Sequence, residues 1–408
     1  MQTLGCLSLI LTAQCNQRCA YCYQNAKKPL SMSWEVLKAS LDMALEADSE
    51  KLDLVFLGGE PLLEFPAIRR AVRYVAKKCP PEKGVNFELI TNGLLLAQRR
   101  VDFLIAHNFG VKLSFDGAAE AQESRSEGSF GRLDRLLEWL KSERPGFFRR
   151  KLRVAATLTP STVVHLSGSV DYLIGRGVRE FSVSPAVTDC SEWKEDDIQE
   201  LDSQMERVYE SCLRHYRLTG EVPLQFLRKT GDDVSPRKAE RAMCGVMSGH
   251  KLTVDVDGEV YGCTLFARSY QGFPSRFLEE RLDPMRMGDL RAPGFLARYA
   301  AYPEAVRRAE IFHHREKKYS SHGRCDECEH VSTCGICPVS IGHAAGNTDP
   351  HRVPDFQCAF ARVVSKYRAR FPEQPGLLES VLTPPGVAEE MERWRILAEA
   401  ARKGAASG

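Results

Sequence analysis

The first half of the chain alternates short apolar runs with segments of helical periodicity, and this alternation restricts the fold more than any other feature. Six runs have the length and composition of buried β-strands, at residues 5–11, 52–57, 86–91, 111–115, 152–158 and 180–184. Segments between them, such as 33–45, 67–77 and 133–140, place apolar side chains at helical spacing. Strand and helix units in alternation predict an α/β fold with a parallel sheet and right-handed crossovers. Because a closed eight-unit barrel needs about 250 residues, six units predict a partial (β/α)6 TIM-like barrel, open on one side.

The loop after the first predicted strand carries three closely spaced cysteines, Cys15, Cys19 and Cys22. With 14 cysteines in 408 residues, chance would produce this spacing roughly 0.02 times per chain. Three thiolates hold three corners of a four-iron cluster and leave the fourth iron free to bind a substrate or cofactor. The spacing therefore predicts a reactive iron–sulfur centre at the carboxyl end of the sheet, where ligands bind in such folds.

This triplet has the form Cys-x3-Cys-x-aromatic-Cys, with Tyr21 in the aromatic position, and resembles the signature of the radical S-adenosylmethionine (radical SAM) superfamily. The resemblance implies that the free iron chelates the amino and carboxylate groups of SAM. Reductive cleavage of SAM would then give a 5′-deoxyadenosyl radical that abstracts hydrogen from a substrate. The electron would come from a donor such as flavodoxin or ferredoxin. The cofactor supplies this chemistry, and the protein supplies ligation and orientation.

Further motifs follow the next three predicted strands and are similar to SAM-binding segments of the same superfamily. Gly58-Gly59-Glu60-Pro61 follows the second strand, and its two glycines let the backbone approach a ligand closely. Thr91-Asn92-Gly93 ends the third strand, and Ser114-Phe115-Asp116-Gly117 ends the fourth. Taken alone, these are ordinary turn sequences. The resemblance implies SAM contacts by Tyr21, Gly58, Gly59, Glu60, Asn92, Ser114, Asp116 and Arg125.

A second cysteine array begins around a predicted β-hairpin, whose strands at 251–256 and 259–261 are joined by an Asp257-Gly258 turn. The array resembles the SPASM extension of radical SAM enzymes, which carries two auxiliary four-iron clusters, so that three 4Fe-4S clusters are implied in all. The resemblance assigns the following ligands to a closed auxiliary cluster: Cys325, Cys328, Cys334 and Cys358. It assigns three others to the second: Cys244, Cys263 and Cys337.

The array departs from the family pattern at two positions. Two residues separate Cys334 from Cys337 where the family has three, which puts the assignment of Cys337 in doubt. His250 stands where related enzymes place an eighth cysteine. Because imidazole can ligate iron, His250 either completes the second cluster or is a surface histidine. Paired Cys-x2-Cys steps also describe zinc sites, so a noncatalytic zinc-binding scaffold is an alternative.

Composition and hydropathy exclude several classes of partner. A formal net charge of +2 provides no electrostatic attraction for nucleic acid, and no basic tract stands out. The apolar segment near the N-terminus is too short to span a bilayer, so no membrane partner is expected. Without an export signal, 14 cysteines indicate a reducing cytoplasm and metal ligation instead of disulfides.

These patterns divide the chain into four predicted parts. They are a radical SAM partial barrel at residues 1–190, a helical bridge at 191–240, a SPASM domain at 241–365 and a helical tail at 366–408. Within the tail, an apolar stripe at residues 384–404 is predicted either to pack on its own domain or to dock a peptide or partner subunit.

The resemblance also implies a class of substrate. Radical SAM enzymes with a SPASM extension mostly modify side chains of ribosomally made peptides or proteins, by crosslinking, epimerisation or oxidation. Thr264 stands where anaerobic sulfatase maturases carry an aspartate, which disfavours formylglycine formation. We therefore expect a peptide or protein substrate, with a small-molecule cofactor or metabolite precursor as the second enzymatic alternative.

Overall fold

A computed structural model describes residues 4–22, 24, 27–186, 193–229, 248–270, 283–308, 317–331, 334, 341 and 347–373. Six parallel strands lie side by side in sequence order. They are β1 (Cys6–Ile10), β2 (Lys51–Leu57), β3 (Gly84–Thr91), β4 (Gly110–Ser114), β5 (Leu152–Leu158) and β6 (Phe181–Pro185). Each begins and ends within two residues of its predicted bounds. The predicted partial barrel is therefore confirmed.

Helices join the strands and cover the outer face of the sheet. They are α1 (Trp34–Glu46), α2 (Phe65–Lys78), α3 (Gln98–Ala106), α4 (Ala119–Arg125), α5 (Phe130–Glu143), α6 (Pro145–Lys151) and α7 (Leu166–Arg176). Local sequence sets their ends: the Ser33 hydroxyl accepts from the Val36 N–H at 3.2 Å to cap α1. Gly177 ends α7 in the left-handed conformation, with φ of 81°.

The predicted hairpin is present, and it extends the barrel sheet. Strands β7 (Lys251–Val254) and β8 (Glu259–Tyr261) pair antiparallel, and a third strand, β9 (Arg286–Asp289), pairs with β8. Strand β7 pairs with β1 in parallel, so that these three strands extend the six-stranded barrel sheet to nine strands. The sequence predicted the hairpin but not its place beside β1. A separate two-stranded sheet, β10 (Tyr319–Ser320) with β11 (Gly323–Arg324), lies in the cysteine-rich region.

Three further helices lie beyond the barrel strands, namely α8 (Glu195–Thr219), α9 (Phe295–Arg308) and α10 (Asp355–Arg370). Helix α10 packs on α8, where Lys366 pairs with Asp202 at 2.8 Å and Arg370 with Glu206 at 2.9 Å. None of the helices in the described ranges is long and apolar enough to cross a membrane. The apolar stripe predicted at residues 384–404 lies outside the described residues, and the predicted domain bounds stay predictions.

The two faces of the barrel sheet differ in chemistry. The outer face is apolar, and Phe56, Phe87 and Phe109 stack there with centroid separations between 5.1 and 6.3 Å. The inner face carries polar side chains near the carboxyl ends of the strands. Lys112 and Ser114 are two residues apart on β4 and both lie on its inner face. Ile90 of β3 lies beside Lys112 on the same face. The core therefore lies between the sheet and its helices, and the barrel interior is left for a site.

Candidate active site

The cysteine loop leaves the carboxyl end of β1 and is closed at its base by hydrogen bonds. Leu11 donates its N–H to the Leu57 carbonyl at 2.8 Å. Ala13 donates to the Leu30 carbonyl at 2.9 Å, and Met32 donates back to the Leu11 carbonyl at 2.8 Å. These contacts fix the point from which the three cysteines project.

Two glycines after β2 let the cysteine loop pass close to the sheet. The N–H of Gly59 donates to the Thr12 carbonyl, and that of Glu60 to the Gln14 carbonyl, each at 2.8 Å. A Cβ at Gly59 would lie 2.0 Å from the Gln14 carbonyl oxygen. At Gly58, where φ is +154°, it would lie 2.5 Å from the Thr12 oxygen. Only glycine fits at either position, so this motif seats the cysteine loop.

The three cysteines of the triplet line one cavity of about 360 Å³ at this end of the barrel. The predicted SAM contacts that also line it are Tyr21, Gly58, Gly59, Asn92, Ser114 and Arg125. Burial raises the pKa of the Cys15 and Cys22 thiols. Because metal ligation needs thiolates, binding at this site must release protons.

Two buried amide nitrogens on this cavity indicate that it holds a group with acceptor atoms. Nε2 of Gln17 and Nε2 of Gln24 have no hydrogen-bond partner among the described residues. Both residues line the cavity and are nearly inaccessible, with 4% and 2% of their surfaces exposed. Unpaired buried donors cost free energy, and the sulfides of an iron–sulfur cluster accept such hydrogen bonds. Three soft thiol ligands together with two free donors fit a 4Fe-4S cluster.

Glu60 lies beneath the cavity instead of lining it. Its fully buried carboxylate accepts hydrogen bonds from the Leu62 N–H at 3.0 Å, the Thr91 hydroxyl at 2.7 Å and the Asn92 N–H at 2.8 Å. Burial raises the pKa of this carboxyl. The SAM contact predicted for Glu60 stays a prediction. The hydrogen bonds from Thr91 and Asn92 show that Glu60 positions the end of β3.

Asn92 connects that strand end to the cysteine loop. Its Nδ2 donates to the Asn16 side-chain oxygen at 2.8 Å and lies 3.8 Å from Cys15 Sγ, within hydrogen-bond range for sulfur. Its Oδ1 accepts from the Leu94 N–H at 3.0 Å, which fixes the side chain. Asn92 therefore orients the first cysteine of the triplet, and hydrogen bonds of this kind tune the potential of a cluster.

Asp116 does not line the cavity but lies at the centre of a buried network beside it. It is 3% exposed and accepts hydrogen bonds from the Tyr21 hydroxyl, from Arg125 at 2.9 Å and from the Thr157 N–H at 2.8 Å. Burial, together with the neighbouring Asp116, raises the pKa of the Tyr21 phenol. The segment Ser114-Phe115-Asp116-Gly117 at the end of β4, which the resemblance implies to bind SAM, thus fixes Tyr21 through Asp116. SAM binding by Asp116 and Arg125 stays a prediction.

A second cavity is lined by the four cysteines predicted to hold the closed auxiliary cluster, Cys325, Cys328, Cys334 and Cys358. Polar side chains contact two of these thiols: the Ser320 hydroxyl lies 3.2 Å from Cys358 Sγ, and Arg362 lies 4.0 Å from Cys328 Sγ. In the part of the chain that the structure describes, no three His, Cys, Asp or Glu side chains converge on a single metal-ion site. A four-iron cluster is wider than one ion, so its ligands stand further apart.

The second predicted auxiliary set is only partly described. Cys244 and Cys337 lie outside the described residues, whereas Cys263 and His250 lie within them. The imidazole of His250 packs on Gly5 at the start of β1, where an added Cβ would lie 1.9 Å from Nε2. Ligation by His250 therefore stays a prediction.

Among the described residues, three other cysteines line neither cavity. Cys6, Cys79 and Cys212 are free thiols, and Cys190 lies outside the described residues. Burial raises the pKa of Cys212 to about 12, so that this thiol is unreactive.

The cavity residues that motif reasoning did not find include Lys27, Lys112 and Leu265. Lys27 donates to the Gln17 carbonyl, and Leu265 enters from the segment after the hairpin. The neighbouring Thr264 hydroxyl lies 3.1 Å from that of Thr253. The sequence held one indication that Lys112 is functional, because it is a charged residue within an otherwise uncharged strand.

Comparisons with known proteins match part of the barrel to a family. Residues 9–149 match the family described as the Radical SAM superfamily. An uncharacterised protein of Methanocaldococcus jannaschii is 28% identical over 180 residues, which cover 43% of this chain and 60% of that protein. The GTP 3′,8-cyclase of Chlorobaculum tepidum is 32% identical over 143 residues, which cover 33% of this chain and 42% of the cyclase. The chain therefore spans between 42% and 60% of the length of these two relatives.

Solved structures are similar over most of the chain. Native anSMEcpe with bound AdoMet and Kp18Cys peptide superposes with a TM-score of 0.67 at 18% identity, covering 90% of this chain and 97% of that chain. Streptococcus suis SuiB bound to precursor peptide SuiA superposes with a TM-score of 0.55 at 16% identity, covering 88% and 76%. At these identities the likeness shows the fold, and it extends beyond the barrel into the cysteine-rich half.

Proposed function

Because residues 9–149 are a radical SAM domain, we propose that the chain is a radical SAM enzyme that modifies a side chain of a peptide or protein. The two structural neighbours above, which share its fold beyond the barrel, were each solved with a peptide. The modification is a crosslink, an epimerisation or an oxidation. The enzyme works in the cytoplasm with a flavodoxin or ferredoxin as electron donor.

One observation carries this proposal: the cysteine triplet and two unpaired amide donors lie on the same cavity. Cys15, Cys19 and Cys22 hold a 4Fe-4S cluster, to which Gln17 and Gln24 donate hydrogen bonds. When bound, the cluster and SAM supply a 5′-deoxyadenosyl radical that abstracts a hydrogen atom from the substrate.

Some of the other cavity residues bind SAM, and others exclude water. Gly58 and Gly59, which line the cavity, would bind the SAM amino group, and Ser114 and Arg125, on the same cavity, would bind its ribose and carboxylate. Apolar side chains, namely Leu57, Ile90 and Leu265, line the same cavity. They exclude water from the reacting atoms and so suppress side reactions.

Two auxiliary clusters complete the proposed enzyme. Cys325, Cys328, Cys334 and Cys358 hold the closed one, supported by their common cavity. Cys244, Cys263 and Cys337 hold the other, with His250 as the candidate for its remaining ligand. When bound, such clusters would supply an acceptor for the electron left on the substrate radical or, at the open one, a site that binds the substrate directly.

A small-molecule substrate is the second candidate, favoured by the 32% identity to GTP 3′,8-cyclase over 143 residues. That enzyme is matched over only 42% of its length. The fold shared with peptide-bound structures over about nine tenths of the chain favours the peptide.

Anaerobic co-expression with a peptide encoded beside this gene tests the proposal, with the peptide mass as the readout. We expect a changed mass with the natural enzyme and an unchanged mass with the triple variant Cys15→Ala/Cys19→Ala/Cys22→Ala. Cys79→Ala, which alters a thiol outside both cavities, should modify the peptide normally. An unchanged mass beside an enzyme that releases 5′-deoxyadenosine would contradict peptide modification and favour the small molecule.

A further inference from the structure

The charges on the active-site cavity are all of one sign. Three cations line it, Lys27, Lys112 and Arg125, and no aspartate or glutamate of the described residues does. Arg125 is neutralised by Asp116 at 2.9 Å, and Lys27 donates to a backbone carbonyl. Lys112 makes no hydrogen bond or ion pair with any residue in the described ranges.

Lys112 lies on the inner wall of the barrel, further from the strand ends than the SAM-binding segment. It precedes Ser114 by two residues on β4, a distance of about 6.6 Å along the strand. In the sheet, Lys112 is paired in register with Ile90 of β3 on one side and with Arg153 of β5 on the other. Lys112 is therefore placed to meet a substrate that enters below SAM.

The two carboxylates that act on Lys112, Glu88 and Glu180, form their ion pairs with other residues. Glu88 is taken by Arg153, with which it pairs at 2.8 Å. Burial lowers the pKa of Lys112, and the neighbouring cations Arg153 and Lys251 lower it further, against the opposing effect of Glu88 and Glu180. A partly buried ammonium without an acceptor costs free energy, and an anionic group bound in the cavity would recover it.

We propose that Lys112 binds a carboxylate of the substrate peptide and thereby selects substrates with an acidic group next to the reacting residue. This inference rests on the proposed function and names the substrate class for the same site. The carboxylate belongs either to an aspartate or glutamate side chain or to the peptide C-terminus. A lysine ammonium, as a point charge with three donors, serves both.

Affinity selection from a random octapeptide mixture on the reconstituted, SAM-bound enzyme tests this inference. One mixture has amidated C-termini and the other free carboxylates, which separates the two sources of the anion. We expect enrichment of aspartate and glutamate from the amidated mixture or, if the terminus is recognised, retention of free-acid peptides alone. Lys112→Met should weaken the affinity for the preferred peptides by about ten- to a hundredfold. Lys112→Arg, which keeps the positive charge, should retain that affinity.

Reversing the charge at position 112 gives the most discriminating comparison in this experiment. Lys112→Glu should select lysine and arginine instead of acidic groups, whereas Lys141→Glu, at an exposed position on α5, should leave the selection unchanged. Release of 5′-deoxyadenosine without peptide is measured alongside for the natural enzyme and for Lys141→Glu, so that a failure of the proposed function is distinguished from a failure of this inference. Absence of carboxylate enrichment, the same enrichment in Lys112→Glu, or lost SAM binding with an unchanged peptide preference would overturn it.

Discussion

Glu60 is fully buried beneath the cavity, where its carboxylate accepts hydrogen bonds from Leu62, Thr91 and Asn92. Glu60→Ala would leave these three donors unpaired. We expect the free energy of unfolding of the metal-free protein to fall by at least about 2 kcal/mol, measured by urea denaturation. Glu82→Ala, at an exposed position, is the control and should change it by less than about 0.5 kcal/mol. Equal effects of the two substitutions would show that Glu60 does not hold the end of β3.

Gly59 supports the cysteine loop through an approach that no other residue permits, since an added Cβ would lie 2.0 Å from the Gln14 carbonyl oxygen. Gly59→Ala must shift the base of the loop, so we expect loss of most iron from the N-terminal cluster. Gly168→Ala is a matched control because a Cβ there, on helix α7, meets nothing within 4 Å. Iron per chain after anaerobic reconstitution is the measurement. Full iron content in Gly59→Ala would refute the proposed constraint.

Some residues of the site carry a motif signal and others do not. The triplet of Cys15, Cys19 and Cys22 was found because its spacing is rare, and all three line one cavity. Gln17 and Gln24 were missed because a glutamine in a loop is ordinary until its burial and unpaired amide are known. Lys112 was missed because periodicity predicts the strand but not which neighbours leave a charge without a partner.

At the scale of elements, Asp116 and Arg125 join the cysteine loop to the barrel wall. Their ion pair ties α4 to the end of β4, while Tyr21 of the loop and Thr157 of β5 donate to the same carboxylate. The side chains of the pair are 1% and 10% exposed. The pair is therefore buried, and removal of one partner leaves an uncompensated charge.

We expect Arg125→Met to lower the free energy of unfolding by about 3–5 kcal/mol. Asp116→Asn combined with Arg125→Met should cost clearly less than the sum of the two single substitutions, because the buried charge is then absent. Arg308→Met breaks an exposed pair with Glu304 and should have almost no effect. Chemical denaturation of all four variants is the measurement, and additive effects of Asp116→Asn and Arg125→Met would contradict the coupling.

The barrel strands were predictable because each is an apolar run bounded by turn residues, and hydrophobic pattern reports burial directly. The pairing of β7 with β1 was not, since more than two hundred residues separate the two strands and periodicity carries no information on partners. Turn chemistry at Asp257-Gly258 identified the hairpin locally, with Gly258 at φ of 97°.

At the scale of the whole molecule, the barrel depends on the segments that follow it. Strand β7 covers the edge of β1, and α10 packs on α8, with Tyr367 only 1% exposed. A fragment of residues 1–229 lacks both β7 and α10, and it therefore exposes the unpaired edge of the apolar strand β1. We expect this fragment to aggregate, as judged by size-exclusion chromatography, whereas residues 1–373 should be monodisperse. A monodisperse 1–229 fragment would show that the barrel is independent of the cysteine-rich half.

The central claim is that Cys15, Cys19 and Cys22 hold a cluster with one open iron that cleaves SAM. Its most direct test measures, in one anaerobic experiment with a strong reductant, the iron content and the 5′-deoxyadenosine released from SAM. We predict that the natural protein releases 5′-deoxyadenosine, and that Cys15→Ala/Cys19→Ala/Cys22→Ala has about four fewer irons per chain and releases none. Release by this variant at the natural rate would contradict the claim.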